Sequence, residues 1–113
     1  AVIGAGEGPP ARIGGATGRR AGADLLSKSL SPVVLDVTAT SLDLHGPMAA
    51  HEGEAYAYVV AGEVELHSHL YAPLTLGAGD AVYFDAAAGY ALIAPTAPAK
   101  VLLVASGEST FGT

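Results

Sequence analysis

The sequence contains no cysteine, which excludes disulfides and thiolate metal sites and leaves the redox compartment open. Positive charge is scarce as well. The basic residues are Arg12, Arg19, Arg20, Lys28 and Lys100, so none falls between Ser29 and Ala99, where eight acids do. Phosphate backbones are gripped chiefly by Lys and Arg. The body of the chain is therefore not a nucleic-acid-binding surface, and its acidity reads as a solvated face that favours solubility. Long apolar runs are missing too. The longest, Ala55 to Ala61, is far short of the roughly 20 residues of a spanning helix, so no membrane partner is expected. The opening residues AVIGAGEGPPAR lack the charged start and apolar stretch of a signal peptide. With no initiator Met, the chain reads as a piece of a longer protein or as one whose start is removed.

What is present is a composition able to fold: 113 residues, half of them hydrophobic and only 14% charged. That supports one domain with a core that needs no staples. Residues 1–23, rich in Gly, Ala and Pro, read as an arm or linker, and 24–113 as the domain. Ala23 to Leu30 has the pattern of a short helical turn stopped at Ser31-Pro32. Val33 to Thr40 is β-branched and predicts a strand, with Ser41-Leu-Asp-Leu44 alternating after it and His45-Gly-Pro-Met48 as a loop. Further strands are predicted over 55–60, 63–67, 73–76, 81–84, 90–93 and 100–104. In Glu63-Val-Glu-Leu-His67 the alternation puts Val64 and Leu66 inward and Glu63, Glu65 and His67 outward. Gly77-Ala-Gly-Asp80 has the residues of a tight turn. Many short strands with turn signals between them predict an all-β sandwich or barrel.

Two segments carry a family resemblance: His51-Glu-Gly-Glu-Ala-Tyr-Ala-Tyr-Val-Val-Ala-Gly-Glu-Val-Glu-Leu66, and Leu76-Gly-Ala-Gly-Asp-Ala-Val-Tyr-Phe-Asp85. Over about residues 24 to 106 the chain resembles the cupin superfamily. It is most similar to the cupin domain that follows a helix-turn-helix in bacterial regulators of the xenobiotic-response-element type. The resemblance implies a double-stranded β-helix, a small jelly-roll barrel, in a cytoplasmic protein that forms a homodimer. Metal-binding members carry His-x-His, a Glu three or four residues on, a Gly after six more, and a third His in the second segment. Anchored on His51 and Gly62, these ligand positions fall on Ala49, His51, Ala55 and Tyr90. Allowing the longer spacing puts Tyr56 at the Glu position. One ligand of four remains, and a lone imidazole does not hold a divalent ion against water. The expectation is a barrel with no metal, no cofactor and no catalytic residues, hence not an enzyme.

His67-Ser-His69 has the His-x-His spelling but stands at a strand end past Gly62, and reads as surface. Glu52 and Glu54, beside His51 and with His45, would form an improvised site only if a bulge at Gly53 re-aimed one acid. At the ancestral site, His51 and Tyr90 are expected to point inward together with Ala57, Val59, Phe84 and Leu92, while Ala49 and Ala55 remove bulk. This is either a small-molecule pocket or a filled core with a hydrogen-bonded histidine. With no Lys or Arg in the barrel body, a neutral or cationic ligand fits better than an anion. Three functions follow. The first is the effector-sensing, dimerising part of a transcriptional regulator whose DNA-binding domain lies outside this chain. The second is an enzyme, either metal-independent with a His–Tyr acid/base pair or metal-dependent with unusual ligands. The third is a bare dimerisation module in which residues 33–44 form the packed edge strand.

Overall fold

Alternation of apolar and polar residues fixes which way each strand of this fold faces. The computed structural model describes residues 10–13, 16–20, 30–50, 53–69 and 72–106, those before 32 by backbone alone. The strands are β1 (Pro10–Ile13), β2 (Ala16–Arg20), β3 (Leu30–Val37), β4 (Glu54–Ala61), β5 (Glu63–Ser68), β6 (Leu74–Gly77), β7 (Ala81–Asp85), β8 (Tyr90–Ile93) and β9 (Ala99–Ser106). They form a six-stranded sheet, β1-β2-β3-β9-β4-β7, and a three-stranded sheet, β6-β5-β8, with antiparallel pairing throughout. This is the all-β jelly roll that the sequence predicts.

The core lies between the sheets. Val33, Leu35 and Val37 of β3 face inward beside Val101, Leu103 and Ala105 of β9 and Ala55, Ala57 and Val59 of β4. Val64 and Leu66 of β5 close the other side, as the alternation requires. Each large aliphatic side chain so buried stabilises the fold by about 1.5–3 kcal/mol relative to exposure. β8 is different: all four of its residues are buried. A short helix, α1 (Leu42–His45), packs on it, which covers the sheet face that would otherwise meet solvent.

Some sequence expectations change here. The alternation at Ser41 to Leu44 is not strand but the start of α1, because the Ser41 hydroxyl accepts from the Leu44 amide (3.3 Å) and caps the turn. Four residues of period 2 are too few to outvote that cap. His45 is the last residue of this turn rather than a loop residue, and it is buried with its Nδ1 3.2 Å from the Gly46 carbonyl oxygen. The arm at 1–23 contains a β1–β2 hairpin that adds to β3, with Arg19 opposite Val34 and Arg20 opposite Val33. β3 is consequently an interior strand, flanked by β2 and β9, and not the edge that a packing module would offer. The predicted helical turn at 23–30 lies outside the described residues except for Leu30, which opens β3.

Two turns hold the sheets in register. At Gly77-Ala-Gly-Asp80, the Gly77 amide donates to the Asp80 carboxylate (2.9 Å) and the Asp80 amide donates to the Gly77 carbonyl (2.9 Å). The Gly79 amide then donates to the Val59 carbonyl at 2.8 Å, fastening the turn to β4. At the other turn, β4 shifts register by one residue between Val59 and Ala61, a bulge that leads into Gly62 and reverses the chain into β5.

Candidate functional site

Tyr90 is the described residue around which the ligand-equivalent positions gather. It opens β8 and forms an isolated antiparallel bridge with Ala49, whose amide donates to the Tyr90 carbonyl (2.9 Å) and whose carbonyl accepts from the Tyr90 amide (2.8 Å). The phenol ring of Tyr90 meets Phe84 edge-on, centroids 4.9 Å apart at 67°. Phe84 in turn stands opposite Ala55 across β4 and β7. Backbone register thus draws Ala49, Tyr90, Phe84 and Ala55 into one neighbourhood from four separate segments of the chain. Ala57, Val59 and Leu92 belong to the same apolar cluster, and Ala49 packs against it half-buried. His51 lies outside the described residues.

Burial pushes the Tyr90 phenol well above its ordinary ionisation range. At neutral pH the group is an uncharged hydroxyl, able to donate or accept a hydrogen bond but not to serve as an anion. No Lys or Arg with a described side chain is placed beside it. Lys100 points outward, 3.7 Å from Asp36, and the arginine-bearing strands β1 and β2 pair at the far edge of the six-stranded sheet.

Of the improvised site that the sequence offers, His51 and Glu52 lie outside the described residues, and His45 is buried at the end of α1. Glu54 faces outward and accepts from the Tyr83 hydroxyl (3.1 Å), which with the carboxylate's charge raises the Tyr83 ionisation. His67 also faces outward, its Nε2 3.1 Å from a Glu65 oxygen. His69 is exposed, yet its imidazole lies against Gly89, where a Cβ would come within 2.9 Å of its Cδ2. Because Ser68 pairs with Tyr90, the next residue of β5's exit falls beside the residue before Tyr90. His69 therefore stands next to the Ala49–Tyr90 bridge, a place that the shared His-x-His spelling of His67 and His69 conceals. The signal that finds it is the β5–β8 register, which no local pattern contains.

The model of the Cupin domain family matches residues 43–105. The chain belongs to the cupin family. Among curated proteins none matches it in sequence. Solved structures do. The DMSP lyase DddQ from Ruegeria pomeroyi DSS-3 is 27% identical with a TM-score of 0.61, over 74% of this chain and 41% of that one. The epoxidase HppE in its iron(II) form with substrate is 25% identical with a TM-score of 0.59, over 68% of this chain and 45% of that one. An HTH_3 family transcriptional regulator from Vibrio cholerae is 11% identical with a TM-score of 0.67, over 82% of this chain and 51% of that one. This cupin chain spans 41% of the lyase's length and between 45% and 60% of the epoxidase's.

The expectation that the chain is not an enzyme is corrected by these likenesses, since two of the three are cupin enzymes and they are the more similar in sequence. Lost metal ligands do not by themselves stand for lost catalysis. Whether a cupin metal would fit is a narrower matter. The ligand-equivalent positions that are described bring an alanine methyl, a second alanine methyl and a phenol held far from ionisation. No three His, Cys, Asp or Glu residues converge among the described residues. That donor set does not fit a divalent transition ion. No helix among the described residues is long and apolar enough to cross a membrane.

Proposed function

We propose that this cupin domain binds a small neutral or cationic molecule inside the barrel, beside Tyr90, and acts as the effector-sensing, dimerising part of a bacterial transcriptional regulator. The observation that carries the reading is the Ala49–Tyr90 bridge with Phe84 and Ala55 beside it: the ligand-equivalent positions present methyls and a neutral phenol instead of metal donors. His51, Ala57, Val59 and Leu92 would complete the lining. An apolar hollow with a few polar groups is the usual form of a small-molecule site. The absence of Lys and Arg from Ser29 to Ala99 disfavours anions and leaves contact with DNA to another part of the protein. The likeness to the regulator from Vibrio cholerae supports this reading at the level of the fold. A catalytic reading stands beside it, favoured by the likeness to the lyase and the epoxidase. In it the same hollow would bind a substrate, with Tyr90 as a proton donor and His51 as its partner.

A thermal-shift screen of uncharged, cationic and anionic metabolites tests the shared core of both readings. Binding at about a hundred times Kd stabilises the folded state by roughly 2.7 kcal/mol, a shift of several degrees in a domain of this size. At least one neutral or cationic compound is expected to produce it, and Ala55→Phe, which would occupy the proposed ligand space, is expected to abolish it. Stabilisation by anionic compounds alone would overturn the proposal. A stabilising compound that the protein then consumes assigns catalysis, whereas one that is recovered unchanged and alters operator binding by the full-length protein assigns sensing.

A further inference from the structure

The three histidines with described side chains differ in what their rings meet. His45 Nδ1 lies 3.2 Å from the Gly46 carbonyl oxygen, and His67 Nε2 lies 3.1 Å from a Glu65 oxygen. Neither a hydrogen bond nor an ion pair reaches the His69 imidazole among the described residues. The ring is nonetheless held in place. Its Cδ2 lies 2.9 Å and its Nε2 3.3 Å from the point where a Cβ on Gly89 would stand, and the Ala49 carbonyl oxygen lies 3.9 Å from that same point. The local backbone builds this seat. The Asp85 carboxylate accepts from the Ala87 amide (2.9 Å) and starts a single turn over Ala86–Ala88, which the Gly89 amide closes by donating to the Ala86 carbonyl (3.4 Å). Gly89 leaves that turn buried and at φ +88, and its missing side chain is the space that the imidazole overlies. Water can serve an exposed imidazole, so the want of a partner alone assigns nothing. The fixing of that ring one residue from Tyr90 does.

The chemistry of this corner is that of an acceptor. A neutral imidazole keeps one ring nitrogen free to accept a hydrogen bond. Beside it stands the Ala49 carbonyl, which takes the Tyr90 amide (2.8 Å) and has a second lone pair. The sequence places no Lys or Arg between Ser29 and Ala99 to compete as a donor. A molecule with an N–H to give therefore finds partners here that an equally charged molecule without one does not. Hydrogen bonds from an ionised donor are also among the stronger ones.

We propose that His69 is a specificity-determining residue of the barrel site, its imidazole, seated on Gly89, accepting a hydrogen bond from a ligand that carries an amine or ammonium N–H. The inference rests on the ligand-binding reading above and narrows its ligand class. Two isomeric cations test it on the full chain: n-butylammonium, which has N–H donors, and tetramethylammonium, which has the same atoms and charge but no donor. Titration followed by NMR is expected to show n-butylammonium bound about tenfold more tightly, with the His69 ring and Gly89 amide resonances moving. His69→Leu is expected to remove that preference while leaving the affinity for tetramethylammonium unchanged. His69→Gln, whose amide oxygen accepts, should restore part of it. His67→Leu, which shares the His-x-His spelling but faces outward, is expected to leave the preference intact. A preference that survives His69→Leu, or a tighter grip on tetramethylammonium than on its isomer, overturns the assignment. If neither cation binds while the thermal-shift screen finds a ligand, the assignment of His69 falls alone; if the screen finds none, the ligand reading falls with it.

Discussion

Replacement of Tyr90 by alanine is expected to destabilise the domain by roughly 3–5 kcal/mol, the range for truncating a fully buried aromatic. Tyr90 is among the largest completely buried side chains, and its removal strips the edge-on partner from Phe84 and leaves a void where β8 meets the core. Chemical denaturation measures the loss. Tyr90→Phe keeps the ring and is expected to cost only about 1 kcal/mol, the usual worth of one hydrogen-bonding group. The same pair separates stability from pH. Folding raises the ionisation of Tyr90, so its contribution is fully present below the unfolded value near pH 10 and is lost as pH rises toward the folded one. Above pH 10 the wild type should lose up to about 1.4 kcal/mol per pH unit more than Tyr90→Phe, because only the unfolded phenol releases its proton. Equal alkaline slopes in the two proteins would show that the phenol is not held as described. Tyr83, raised by Glu54, is present in both and cancels.

Gly62→Ala is the second large effect, on the order of 2–4 kcal/mol, and it combines two costs. Gly62 has φ +86, a conformation that costs an L-residue about 1–2 kcal/mol. A Cβ there would also lie 2.8 Å from the Ala99 Cβ and 3.0 Å from its Cα, and backbone cannot step aside as a flexible side chain can. Gly79→Ala is the control. Its φ of +91 imposes the same strain, but no atom lies within 4 Å of the added methyl, so only the strain should appear. Equal losses at the two positions would mean that the approach of β9 to the β4–β5 turn is looser than the geometry shows. The closing glycine of the first cupin segment is thus a packing residue at a sheet corner, not a site residue.

Much of the fold is legible in the sequence because strands with one wet face write their direction into it. β4, with Ala55, Ala57 and Val59 inward and Glu54, Tyr56 and Tyr58 outward, is such a strand, and so are β5 and β9. β8 carries no alternation because α1 covers its second face, and α1 itself reads as a strand continuation until the Ser41 cap is seen. The hairpin at 10–20 is hidden by its glycine-rich, alanine-rich composition, since edge pairing to β3 is a long-range event with little local signature. Ala55, Ala57, Val59, Phe84, Tyr90 and Leu92, reached by anchoring on Gly62 and counting by twos, face inward, as members of the same core as Val33, Val64 and Leu103. His69 escapes such counting because its nearness to Tyr90 is set by how β5 registers on β8. The exclusion of catalysis fails for a different reason: a set of lost donors speaks to metal binding and not to every reaction a barrel can host.

Metal content, measured by elemental analysis on protein purified without a chelating tag and dialysed against each transition ion, tests most directly whether the inner site has exchanged ion donors for methyls and a neutral phenol. Iron, manganese, nickel and zinc are expected far below one per chain, with no change on Tyr90→Phe. One ion per chain, retained through dialysis and lost when His51 is replaced, would contradict that exchange.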